Sequence, residues 1–146
     1  IRQLYPIIAL GIDIEPGHVA LANETNEMVV ATAWDFLAPT LPPAYEGFPF
    51  NLVTCINWTH NNWRRWHAVD PSVAPRPETM PLADQEVLPA AAFAAHKYLN
   101  ARGRLIIDWP DLTFPVDLVE SDCCGGWCLE KVLQFRKPFF VFSRRF

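Results

Sequence analysis

Residues 121–128, Ser-Asp-Cys-Cys-Gly-Gly-Trp-Cys, hold three of the chain's four cysteines within six positions. Sulfur at that density can exchange electrons, bind a metal or staple a loop. Redox catalysis of the thioredoxin kind needs C-x-x-C, whereas Cys123, Cys124 and Cys128 stand at C-x-x-x-C and C-x-x-x-x-C spacings. Zinc would need Cys123, Cys124 and Cys128 plus His60, His67 or Cys55, and no pair has knuckle spacing. The spacing therefore favours structural cysteines: one or two disulfides, with Cys55 as partner of Cys123 or Cys124, or plain buried thiols. Pairing requires an oxidising compartment. The sequons at Asn23 (NET) and Asn57 (NWT) point that way, so an extracellular or similar location is expected. No metal and no cofactor is expected.

Carboxylates form the second chemical set. Asp13 ends the aliphatic run IIALGIDI, Glu15 follows it, and Asp108 ends LIID. Clustered carboxylates hold hard cations through oxygen, the basis of two-metal phosphodiester hydrolysis. The GIDI and LIID segments resemble the ribonuclease H-like superfamily, including its Holliday-junction resolvases. That resemblance implies a metal-dependent nuclease, with Asp13 and Asp108 as magnesium ligands and Glu15 as a third. A net charge of −4 and scattered basic residues point away from a nucleic-acid partner. The bland alternative is a pair of strand-end carboxylates facing solvent.

The third set is NWTHNNWRRWH, where Trp58, Trp63 and Trp66 flank Arg64 and Arg65. Trp and Arg anchor protein interfaces and stack on sugars or bases. The same tryptophans could equally fill the chain's own core. His18, His60, His67 and His96 are isolated, and no G-x-S-x-G, Walker, G-x-G-x-x-G or H-E-x-x-H motif occurs.

The elements that must position these groups read as α/β. YPIIALGIDI, HVALA and EMVVATAW suggest an N-terminal antiparallel three-strand meander, turned by EPG and NETN. Residues 35–81 are rich in Pro and Trp and form a long irregular insertion, interrupted by a strand at NLVTCINW. PAAAFAAHKYLNARG predicts a helix that starts at Pro89, ends at Gly103 and buries Ala91, Ala95, Tyr98 and Leu99. RLIIDW predicts a buried strand and LTFPVDLVE a further one. CLEKVLQF lacks strict alternation and predicts a second helix, with Cys128, Leu129 and Val132 facing inward. KPFFVFSRRF closes the chain as a strand.

At 146 residues, 51% hydrophobic and 19% charged, the chain is expected to form one domain over 1–146. No apolar run reaches the roughly 20 residues of a membrane span. Without a complete catalytic set, the expected function is a non-enzymatic structural or interaction subunit. It would dock on other protein subunits through the 35–81 insertion. The nuclease and a thiol-redox protein are the alternatives.

Overall fold

The computed structural model describes residues 9–27, 29–48, 50–56, 80–109 and 111–145, with the backbone alone over 80–87. These fall in two compact units, Ile1–Glu46 and Gly47–Phe146.

In the first unit, β1 (Ala9–Asp13) leads into α1 (Pro16–Thr25) and returns as β2 (Val29–Ala33). The two strands pair in parallel, from Ala9 opposite Val29 to Asp13 opposite Ala33. The expected meander is thus a β-α-β unit, and HVALA is helical. Pro16 is the cause: its fixed φ and missing N–H suit a first helical position as well as a turn. His18 and Val19 donate their N–H groups to Glu15 O at 3.0 and 3.2 Å and close the first turn. A five-residue apolar-polar alternation is too short to oppose that start.

The 3-10 turn at Pro43–Tyr45 folds back over this pair. Pro42 and Tyr45 are buried, and the Tyr45 hydroxyl donates to Gly11 O at 3.1 Å. The proline-rich stretch thus lies partly on its own chain.

Among the described residues, the second unit holds a mixed four-stranded sheet in the order β3-β4-β6-β5. Its strands are β3 (Phe50–Cys55), β4 (Leu99–Asp108), β5 (Trp127–Gln134) and β6 (Pro138–Arg144). β3 runs parallel to β4, and β6 is antiparallel to both β4 and β5. The α/β class with a mixed sheet holds.

α2 (Met80–Tyr98) begins well before Pro89, which lies inside it. Of the expected stripe, Ala91 and Ala95 are fully buried and Tyr98 is buried at the helix end, while Leu99, also buried, already belongs to β4; Leu88 and Ala92 are fully buried beside them. Gly103 does not cap this helix but stands in the irregular start of β4. A Cβ there would come within 2.7 Å of Leu99 Cδ2, so only glycine fits. Arg144 caps α2 instead: its Nη2 donates to His96 O at 3.0 Å and Leu99 O at 3.2 Å. A cation there offsets the negative end of the helix dipole.

CLEKVLQF is strand, not helix. The register with β6 slips between Leu129 (opposite Phe142) and Lys131 (opposite Val141), leaving Glu130 as the extra residue of a bulge. Val132 then lies opposite Phe140, on the same face as Leu129. The three-residue spacing that imitates a helix is the bulge itself. LTFPVDLVE, expected as a strand, contains the short helix α3 (Val116–Glu120). The core joins α2 and α3 to one sheet face through Leu105, Ile107, Val119, Trp127, Phe140 and Phe142. Phe114 stacks on Phe140 at 4.5 Å, and Trp127 Nε1 donates to Ala92 O at 2.9 Å.

Candidate functional site

Parallel strands linked by a helix leave their carboxyl ends together, and in open α/β sheets ligands bind beyond those ends. In the first unit, Asp13 is the last residue of β1 and Asp35 lies two residues past β2. Trp34 N donates to Asp13 O at 2.9 Å, tying the two ends to each other.

The Asp13 carboxylate is held from two sides. Glu15 N donates to Oδ1 at 2.8 Å, and His18 Nδ1 lies 3.1 Å from Oδ2. The side chain stays 43% exposed, so each oxygen keeps a lone pair for a ligand. A carboxylate fixed in this way can accept from the adjacent hydroxyls of a sugar. Asp35 is exposed and shapes the turn after β2: its Oδ1 accepts from Leu37 N at 2.9 Å and its carbonyl from Ala38 N at 3.0 Å. Trp34 and Phe36 beside it are half-buried aromatic residues.

Asn23 braces the middle of β2 from α1. Its side-chain amide donates to Ala31 O at 3.1 Å and accepts from Ala31 N at 2.8 Å. The nitrogen a glycan would use is therefore committed to the β2 backbone.

Asp108 belongs elsewhere. It ends β4 in the second unit's sheet, is buried, and forms an ion pair with Lys137. Asp13 and Asp108 are on different sheets, not on neighbouring strands. Among the described residues no three His, Cys, Asp or Glu side chains converge as metal ligands. Glu15 is the N-cap residue of α1, without a side-chain cap bond.

All four cysteines are free thiols, so the expected disulfide is corrected. Cys55 is buried on β3, where desolvation, and then the nearby Asp108 charge, push its thiol up to about 12. Cys124 is buried, Cys123 exposed and Cys128 half-buried on β5. Cys123 and Cys124 lie in a 3-10 turn after α3, with Sγ atoms 3.9 Å apart and Ser121 Oγ 3.1 Å from each. Trp58, Trp63, Arg64, Arg65, Trp66, His60 and His67 lie outside the described residues.

Asp35, Tyr45 and Lys137 were not singled out from the sequence. Asp35 alone carried a signal, an acidic residue just past an apolar strand, as at Asp13.

The fold and the site together define an α/β chain with carboxylates at the carboxyl ends of a parallel pair. No protein-family model and no curated protein matches the sequence. Solved structures do. A TehB-like SAM-dependent methyltransferase from Corynebacterium glutamicum superposes with a TM-score of 0.55 at 13% identity, over 93% of this chain and 67% of that one. LepI in complex with SAM gives a TM-score of 0.58 at 12% identity, over 97% of this chain and 37% of that one. The N-methyltransferase NodS from Bradyrhizobium japonicum, in complex with S-adenosyl-L-homocysteine, gives 0.50 at 13% identity, over 92% of this chain and 65% of that one. The chain thus spans between about a third and two thirds of the length of these neighbours.

These likenesses establish the fold. They overturn the ribonuclease H-like resemblance and with it the nuclease, because the shared architecture is that of SAM-dependent methyltransferases and not of resolvases. They also overturn the non-enzymatic docking subunit, since the structures that share the fold are SAM-dependent enzymes. The thiol-redox alternative finds no counterpart among them.

Proposed function

We propose that this chain is part of an S-adenosylmethionine-dependent enzyme of the methyltransferase type, and that its first unit holds the nucleoside of that cofactor. The observation that carries the reading is Asp13. A half-exposed carboxylate at the carboxyl end of a parallel strand, pinned by Glu15 N and His18, is the ribose-hydroxyl acceptor that nucleoside sites of this architecture use. The fold likeness and the cofactors named for LepI and NodS support the same choice.

The residues fit the group. Asp13 offers two anchored acceptor oxygens to the paired ribose hydroxyls. Asp35, engaged through Oδ1 with Leu37 N, keeps Oδ2 for an exocyclic amino group of adenine. Trp34 and Phe36 provide apolar ring surface against a flat base. When bound, the cofactor supplies an electrophilic methyl on a sulfonium sulfur. The chain's own part is to bind and orient the nucleoside: His18 holds the Asp13 carboxylate, and the Trp34 amide fixes the end of β1 against the start of the Asp35 turn.

Calorimetric titration of the full chain with S-adenosylmethionine and S-adenosylhomocysteine tests this. Saturable one-to-one binding, weakened by Asp13→Asn, is expected. Absence of binding to either compound, or affinity unchanged by Asp13→Asn, overturns it.

A further inference from the structure

The Ser121–Cys124 turn is a second site, independent of the nucleoside reading. We propose that Cys123 and Cys124 form a bidentate site for a soft, thiophilic divalent ion of the zinc or cadmium kind. The argument starts from the bite. Two zinc–sulfur bonds of about 2.3 Å at a tetrahedral angle place their sulfurs about 3.8 Å apart. The two Sγ atoms stand 3.9 Å apart. Adjacent residues in an extended chain point to opposite faces. The 3-10 turn at Asp122–Cys124, closed by Gly125 at φ +88°, is what brings both sulfurs to one side.

The surroundings suit a cation. Cys123 is exposed and gives the ion access. Ser121 Oγ, 3.1 Å from both sulfurs, stands beside the chelate, and the negative charge of Asp122 acts on Cys123.

Binding balances simply. Each thiol loses its proton to solvent, two sulfur–metal bonds form, and the dithiolate neutralises the divalent charge. Cys124 must give up its bond to Leu118 O (3.1 Å), but that carbonyl keeps the Ser121 hydroxyl, which donates to it at 2.9 Å. No buried acceptor is stranded. With no third protein ligand among the described residues, the remaining positions fall to water or to an added ligand.

The test is titration of the fully reduced full chain with Cd2+, followed by the thiolate-to-metal absorption band and by proton release. One ion per chain is expected, with more than one proton released. Cys123→Ser, at an exposed position, should lower affinity at least tenfold with unchanged circular dichroism. Cys124→Ser should do the same, whereas Cys128→Ser should leave affinity within about twofold. A one-to-one complex that survives Cys123→Ser, or is lost with Cys128→Ser, overturns the site. So does the absence of any one-to-one complex in the reduced chain.

Discussion

Asp13 Oδ2 and His18 Nδ1 meet at 3.1 Å across the first turn of α1, while the other carboxylate oxygen takes the Glu15 amide at 2.8 Å. Both partners come from the turn that starts the helix, so strand end, helix start and carboxylate orientation form one local unit. The two substitutions separate binding from positioning. Asp13→Asn keeps the shape and loses the charge that strengthens hydroxyl contacts. The loss of charge-assisted bonds is worth about 1.5–3 kcal/mol, roughly tenfold to a hundredfold in affinity for S-adenosylhomocysteine. His18→Ala removes only the prop, and a loss of roughly tenfold or less is expected. Equal losses in calorimetry would mean that His18 touches the ligand itself.

Gly125 is the most crowded glycine of the second unit. Its φ is +88°, and a Cβ there would collide with the His96 imidazole. Gly125→Ala combines left-handed strain with a steric clash, so destabilisation of about 1–3 kcal/mol is expected in urea unfolding. Gly126→Ala carries the same kind of strain at φ +81°, but its nearest contact is Arg145 Cβ at 4.0 Å. It should cost less, and a larger loss at Gly126 would contradict the packing described.

How far the sequence could be read depends on which force decides each element. β6 and the Leu105–Ile107 stretch of β4 are apolar runs, which state their burial directly, and the alanine stripe of α2 does the same. β5 was misread because a bulge at Glu130 breaks period two, and nothing local announces a bulge. HVALA was misread because Pro16 serves a turn and a helix start equally well. The site was half legible. Asp13 stood out as a strand-end carboxylate, but its pairing with Asp108 assumed one sheet where the chain builds two. The disulfide expected for Cys55 failed for a related reason. Spacing along the chain says nothing about whether two sulfurs meet.

The cysteines should differ sharply in reactivity. The Cys55 thiol, pushed up to about 12, is ionised to only about one part in ten thousand at pH 8, whereas Cys123 is exposed and acidified. Iodoacetamide at that pH should label Cys123 first. Cys55 should react only at the rate of global unfolding. Peptide mass spectrometry over a time course decides it, and native labelling of Cys55 ahead of Cys123 would contradict the burial of β3.

His96 joins the end of α2 to the cysteine turn. Its ring stacks on Trp127 at 4.6 Å, and Nε2 lies 3.0 Å from Cys124 O. Burial, then the charge of Arg144, lowers its pKa below the ordinary 6.5, outweighing the backbone hydrogen bonds that favour the charged ring. The unfolded chain has no such bias and takes up its proton near 6.5, so below that pH the unfolded state binds more protons than the folded one. The stability tied to neutral His96 is therefore fully present above about pH 6.5 and is lost as pH falls through that value toward the lower folded pKa. Carboxylates add their own acid sensitivity, so the informative quantity is a difference. Urea unfolding of the wild-type chain and His96→Asn should be compared at about pH 7.5 and about pH 5. The wild-type chain should lose more stability over that interval than the variant, although the variant starts lower for want of the Trp127 contact. Parallel losses would mean that the imidazole titrates alike in both states, and would remove the burial and Arg144 argument together.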